Sequence, residues 1–148
     1  MTGLTTKGRY ATRVLVYLAA RGEKGPVKKQ EIAEAEGITP DYIEQILMRL
    51  KAAGLIRSHR GKAGGFSLAS DPARLTVERV LEVMEGDLSL VPCVKQGFCE
   101  RSAHCATQAL WKKADQSLKQ VFQKTTIGQL AETVRFARDV GKGEDYCI

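Results

Sequence analysis

At 148 residues and 16.2 kDa, the chain is long enough for one domain, or one small domain with an elaboration, and can build a hydrophobic core without disulfides. No run approaches the roughly 18 consecutive apolar residues of a membrane span, and the N-terminal pattern is interrupted by Arg13 and lacks an export signal's apolar segment, so a cytoplasmic protein with no membrane partner is expected. The net charge of +6 is uneven: residues 1–70 hold 12 Lys/Arg against 6 Asp/Glu, residues 71–148 hold 11 against 11, and this leaves open either a polyanion partner for the first half or an ordinary basic surface.

Taken in order, residues 6–21 carry Tyr10, Val14, Tyr17 and Leu18 at helical spacing, with Gly22 placed to end the helix. After the polar loop 22–26, a short helix is expected from Lys28 to Glu36, with Ile32 and Ala33 inward and Gly37 stopping it. Thr39-Pro40 is a helix-start pair, because threonine can cap free amides and proline is tolerated at the first helical position. The third helix should run to about Ala53, burying Ile43, Ile46, Leu47 and Leu50, with Gly54 ending it. Two short helices about a turn form a helix-turn-helix. Leu55–His59 and Phe66–Leu68 then read as strands flanking Arg60-Gly61-Lys62-Ala63-Gly64-Gly65, a basic hairpin turn. The order of parts predicts a mainly α fold: a winged helix-turn-helix with a two-stranded β-wing, followed by a cysteine loop and a long dimerisation helix.

Such a unit places its second helix in the major groove of double-stranded DNA and offers its N-terminal, outward residues to base edges. Here these are Thr39, Asp41, Tyr42, Glu44 and Gln45. Glu44 can accept from a cytosine amino group and Gln45 can pair with adenine. Arg60 at the hairpin tip can enter a narrow minor groove, with Gly61 beside it. Lys28, Lys29, Arg49 and Lys62 suit phosphates, which position without specifying. For any single side chain, a solvated polar face is the alternative.

Asp71-Pro72 ends the hairpin. Thr76 then caps a helix to Glu85, with Val77, Val80, Leu81 and Met84 on one face and Gly86 closing it. A loop from about Asp87 to His104 follows. A longer helix is expected from near Cys105 to about Lys124, with Leu110, Trp111, Leu118, Val121 and Phe122 apolar. Thr126 and Gln129 fit a capping box that opens a final helix to about Val140, and the tail to Ile148 is expected to fray. An amphipathic helix beyond a complete winged helix calls for a partner. A two-fold homodimer supplies one and presents two recognition helices to a palindromic operator; packing back on its own domain is the alternative. The organisation expected is a DNA-binding domain over 1–86, a cluster-binding loop over 87–104 and dimerisation helices with a tail over 105–148.

Cys93, Cys99 and Cys105 are evenly spaced as C-x5-C-x5-C. Disulfides do not suit a reducing compartment or an odd count. Structural zinc favours closer pairs, whereas thiolates on one loop can wrap a larger iron–sulfur cluster. Lys95, Arg101 and His104 would favour the thiolate forms. A reversible thiol switch and a zinc site both stay open on spacing alone. An enzyme does not fit: the chain has only His59 and His104 and offers no nucleophile–base pair or phosphate loop.

The stretches 4–11 (LTTKGRYA), 38–47 (ITPDYIEQIL), 50–56 (LKAAGLI) and 60–66 (RGKAGGF), with the cysteine triplet, resemble the IscR/NsrR group of bacterial winged-helix regulators, the Rrf-two family, from residue 4 to about 135. The resemblance implies a homodimeric repressor or activator whose operator affinity depends on an iron–sulfur cluster, [2Fe–2S] or [4Fe–4S], held by Cys93, Cys99 and Cys105. It also implies base contacts from Tyr42, Glu44 and Gln45 and a minor-groove contact from Arg60. The chain departs from the family at the fourth ligand. One branch has a histidine three residues after its last cysteine, where Gln108 stands here. The other uses an aspartate from the first helix of the partner, where the nearest equivalent is Arg9, a cation that cannot serve. His104, Cys147 and a non-protein ligand complete the candidates. The expectation is a repressor whose cluster senses redox state, nitric oxide or iron–sulfur supply. Its competitor is a metal-free thiol-switch regulator controlled by cysteine oxidation or by binding a sulfur-metabolism enzyme.

Overall fold

The computed structural model describes residues 4–22, 24–97 and 99–141. The helices are α1 (Thr6–Arg21), α2 (Lys29–Glu36), α3 (Pro40–Ala52), α4 (Val77–Glu85), α5 (Pro92–Gln96), α6 (Gln108–Lys124) and α7 (Ile127–Gly141). Strands β1 (Ile56–His59) and β2 (Gly65–Leu68) pair antiparallel, with Ile56 opposite Leu68 and His59 opposite Gly65. A 3-10 turn spans Ser102–His104. The architecture is a winged helix with a helical extension, as the sequence predicts.

Each recognition element starts and stops on local chemistry. Gly37 ends α2 in the left-handed conformation (φ 64°), and its amide reaches the carbonyls of Ala33 and Glu34. Thr39 takes the N-cap backbone geometry of α3, but its side chain forms no capping bond, contrary to the sequence expectation. Pro40, at the start of α3, lacks an amide and so removes one donor that would need a partner. Ile32, Ile43, Ile46, Leu47 and Leu50 pack against Val14 and Leu15 of α1, all nearly solvent-free. The wing is tied to the body by Val27, whose amide and carbonyl bond Phe66 at 2.9 and 2.8 Å. That approach requires glycine. A Cβ on Gly65 (φ 150°) would lie 2.5 Å from the Val27 carbonyl oxygen, and one on Gly64 would collide with the His59 carbonyl.

Thr76 caps α4 by accepting from the Arg79 amide, and Thr126 and Gln129 form the reciprocal capping box at 2.9 and 3.2 Å. Two sequence boundaries move. The segment 87–104 is not uniform loop: Pro92 opens the one-turn α5, and the 3-10 turn follows Cys99. The long helix begins at Gln108 rather than near Cys105. The 3-10 turn hands over to an extended Cys105 (φ −86°, ψ 103°), and the Thr107 hydroxyl engages the Cys105 thiol instead of capping the helix.

α6 buries only Asp115; Leu110, Trp111 and Val121 are exposed, while Phe122 leans on the core. α7 turns back onto α1. Ile127 and Ala131 join the core, Arg135 donates to the carbonyls of Ala19 and Ala20, and the 125–128 segment bonds the 72–77 segment through Val77, Ile127 and Gly128 amides. Among the described residues, α6 leaves Leu110, Trp111 and Val121 exposed, and α7 leaves Phe136 exposed. The residues after Gly141, including Cys147 and the tail, lie outside the described residues.

Candidate nucleic-acid interface and thiol loop

α3 presents Asp41, Glu44, Gln45, Met48 and Arg49 to solvent, preceded by the exposed Thr39. Lys28 at the cap of α2 is exposed nearby in the chain, and Arg60, Gly61 and Lys62 form the exposed tip of the wing. The helix residues and the wing tip are thus two separate outward features, as a winged helix requires for simultaneous groove and backbone contacts.

Several of these side chains already have partners. Glu44 accepts from Lys29 at 2.7 Å, an exposed ion pair of the kind worth about 1 kcal/mol or less, so exchanging it for a base costs little. Tyr42 is half-buried, its ring edge-on to Tyr10 with centroids 5.8 Å apart, and Arg13 lies over the Tyr10 ring at 5.3 Å. The contact anchors the first turn of α3 to α1 and leaves only part of Tyr42 outward. Arg49 donates to the Met84 carbonyl at 3.3 Å, satisfying an end carbonyl of α4. The wing also carries Arg57 and His59 outward on β1, with His59 Nε2 2.8 Å from Ser67 Oγ; these were not among the sequence candidates, although strand alternation places them on one face.

The C-terminal turn of α4 holds both α1 and α3. Glu85 Oε1 accepts from the Thr5 amide, the Thr5 hydroxyl at 2.6 Å and the Gly8 amide at 3.0 Å, giving α1 a carboxylate cap from a distant residue. A Cβ on Gly8 would lie 2.5 Å from that oxygen. Gly86 then leads directly into the cysteine segment.

That segment is anchored by two aspartates. Asp87 accepts from the Ser89 amide (3.0 Å) and hydroxyl (2.8 Å) and pairs with Lys95 at 3.2 Å; these contacts lower its pKa to about 2. Asp115 on α6 accepts from the Leu90 amide and from Lys119, both at 2.9 Å. Burial alone would raise the Asp115 pKa, but those two donors outweigh it and the net direction is down. Sequence reading missed Asp115, although an acid between Trp111 and Leu118 on an apolar helical stripe is a visible signal.

Cys93, Cys99 and Cys105 are free, half-buried thiols on one segment: the first in α5, the second between the two short turns, the third ahead of α6. Hydrogen bonding from Thr107 (hydroxyl 3.5 Å from Cys105 Sγ) is the main reason the Cys105 pKa is lowered, and Arg101 is the weakest contributor. Lys95, expected to act on the thiols, instead neutralises Asp87. Three soft thiol donors fit an iron–sulfur cluster chemically. Among the described residues, no group of three or more His, Cys, Asp or Glu side chains is placed to hold a single metal ion. Of the fourth-ligand candidates, Gln108 opens α6 half-buried and His104 is exposed; Arg9, the cation where a relative has an aspartate, is exposed on α1.

A helix-turn-helix with a basic wing defines a winged-helix DNA-binding protein. A family model described as an iron-dependent transcriptional regulator, Rrf2, matches residues 4–133. The chain belongs to the Rrf2 family of transcriptional regulators. It is 35% identical over 127 residues to the HTH-type transcriptional regulator IscR of Cronobacter sakazakii, covering 86% of this chain and 78% of the relative. Among solved structures, it resembles CymR, the global cysteine regulator of B. subtilis, with TM-score 0.79 and 32% identity over 90% of this chain and 98% of that one. It also resembles T. potens IscR, with TM-score 0.70 and 27% identity over 99% and 93%. These relatives are named as regulators, not enzymes, and among the described residues no helix is long and apolar enough to cross a membrane.

Proposed function

We propose that a homodimer of this chain represses transcription by binding a palindromic operator, with affinity set by an iron–sulfur cluster held by Cys93, Cys99 and Cys105. In this reading α3 lies in the major groove with Thr39, Asp41, Tyr42, Glu44 and Gln45 toward the bases. Arg60 enters the minor groove, and Lys28, Arg49, Gly61 and Lys62 meet the backbone. The observation that carries the proposal is the position of the thiol segment: it starts at Gly86, next to Met84 and Glu85, which bond α3 and α1. When bound, a cluster supplies an iron centre responsive to redox state, nitric oxide or iron–sulfur supply. The chain supplies the transmission, because a new loop path beyond Gly86 pulls on the α4 turn that fixes the recognition helix.

A second reading is favoured by the Cys105–Thr107 contact and by the likeness to a cysteine regulator. Here the Cys105 thiolate attacks a peroxide oxygen, forming a sulfenic acid and releasing hydroxide, with no metal involved. Binding of a sulfur-metabolism enzyme is the other route to such control.

Iron and sulfide analysis of anaerobically purified protein separates the readings. The cluster reading expects both elements, visible absorption lost in Cys93→Ala, Cys99→Ala and Cys105→Ala with unchanged helical circular dichroism, and DNA affinity that differs between loaded and cluster-free protein. Absent iron and sulfide, with affinity that changes on peroxide treatment, selects the thiol reading.

A further inference from the structure

Single exposed apolar residues are ordinary on protein surfaces. Met48 is distinguished by its place. It is 65% exposed, and it lies on the recognition helix. At about 100° per residue, it sits about 40° around the axis from Glu44, with Asp41 at about 60° and Gln45 at about 100°. Met48 is thus inside the face proposed to meet the bases, a turn beyond Glu44 and Gln45, not at its margin. Of its polar neighbours, Glu44 pairs with Lys29 on one side, and Arg49 donates to the Met84 carbonyl on the other.

We propose that Met48 reads a thymine methyl group in the major groove. This rests on the reading of α3 as the base-contacting helix and deepens it. The thioether side chain has no hydrogen to donate and is a weak acceptor. Of the groups that the four base pairs display in the major groove, only the thymine methyl is apolar. A flexible, polarisable side chain suits such a contact, since it can adapt to the methyl without fixed geometry. Any other base at that step would press an apolar side chain against polar edges and desolvate them without recompense. Met48 would therefore set preference at one base pair per half-site that neither Glu44 nor Gln45 determines.

The test uses the full chain and a duplex enriched by the wild-type protein from a random library. Each thymine in one half-site is replaced in turn by deoxyuridine, which removes only the methyl, and affinities are compared at fixed salt. The wild type is expected to bind about fourfold more weakly at one position, the equivalent of one buried methyl group. Met48→Ala should lose about the same on the parent duplex and become indifferent to deoxyuridine there, while Met48→Leu keeps the sensitivity. A wild type that enriches a duplex but feels no methyl, or a Met48→Ala variant that responds as the wild type does, overturns the inference alone. A wild type that enriches no duplex overturns the reading of α3 as well.

Discussion

Asp115 shows how much one side chain can fix. It is 3% exposed, and its two oxygens join α6 to the start of the thiol segment through Leu90 and to Lys119. Removing it deletes the bond to the Leu90 amide and the pairing with Lys119, so Asp115→Ala is expected to destabilise the chain by about 1–3 kcal/mol. Asp115→Asn retains an oxygen for Leu90 and should cost less. Urea unfolding followed by the emission of Trp111, the only tryptophan, measures both, and equal effects would argue against the amide bond as the cause. Because the Asp87 and Asp115 pKa values are lowered by folding, each carboxylate contributes stability above the ordinary carboxylate range. That contribution fades as pH falls through the lowered values, about 2 for Asp87, so the Trp111 signal should report loss of loop anchoring between about pH 4 and 2. At this scale the sequence was partly legible. Outward residues of α3 could be named because a helix start and a buried stripe fix its rotation, whereas the partners of Glu44, Arg49 and Lys95 could not, since they come from other elements.

Among the elements, α6 packs Phe122 on the core but leaves Leu110, Trp111 and Val121 exposed among the described residues. Leu110 and Val121, 56% and 59% exposed, are separated by about three turns and can face a second copy without disturbing the core. Leu110→Glu combined with Val121→Glu should convert the proposed dimer to monomer in sedimentation velocity with circular dichroism unchanged. Persistence of the dimer would move the interface elsewhere. The winged-helix elements were readable because their signals are local: Gly37, Thr39-Pro40, the Gly64-Gly65 pair and the Thr126–Gln129 box each act within a few residues. The start of α6 was not, because the competition for the Thr107 hydroxyl is settled by the thiol two residues earlier and not by capping preference.

For the whole molecule, the bonds of Glu85 and Met84 make the turn at the end of α4 a junction between the thiol segment and the DNA-facing surface. Glu85→Ala removes the acceptor of three donors around the start of α1. It is expected to cost about 1–2 kcal/mol and to shrink the difference in operator affinity between the two states of the thiol loop. Anisotropy titrations in both states test this; an unchanged difference would route the coupling elsewhere. The junction could not be read in advance, because Thr5 and Gly8 lie about 80 positions from Glu85 and nothing local marks the pairing. The return of α7 has a consequence for synthesis. Ile127, Ala131 and Arg135 complete the packing around α1, so contacts across some 115 positions close the body. Such distant closure is slow to form and comes late as the chain emerges from the ribosome. The body around α1, on which α3 also packs, is therefore finished only after the thiol segment has been translated.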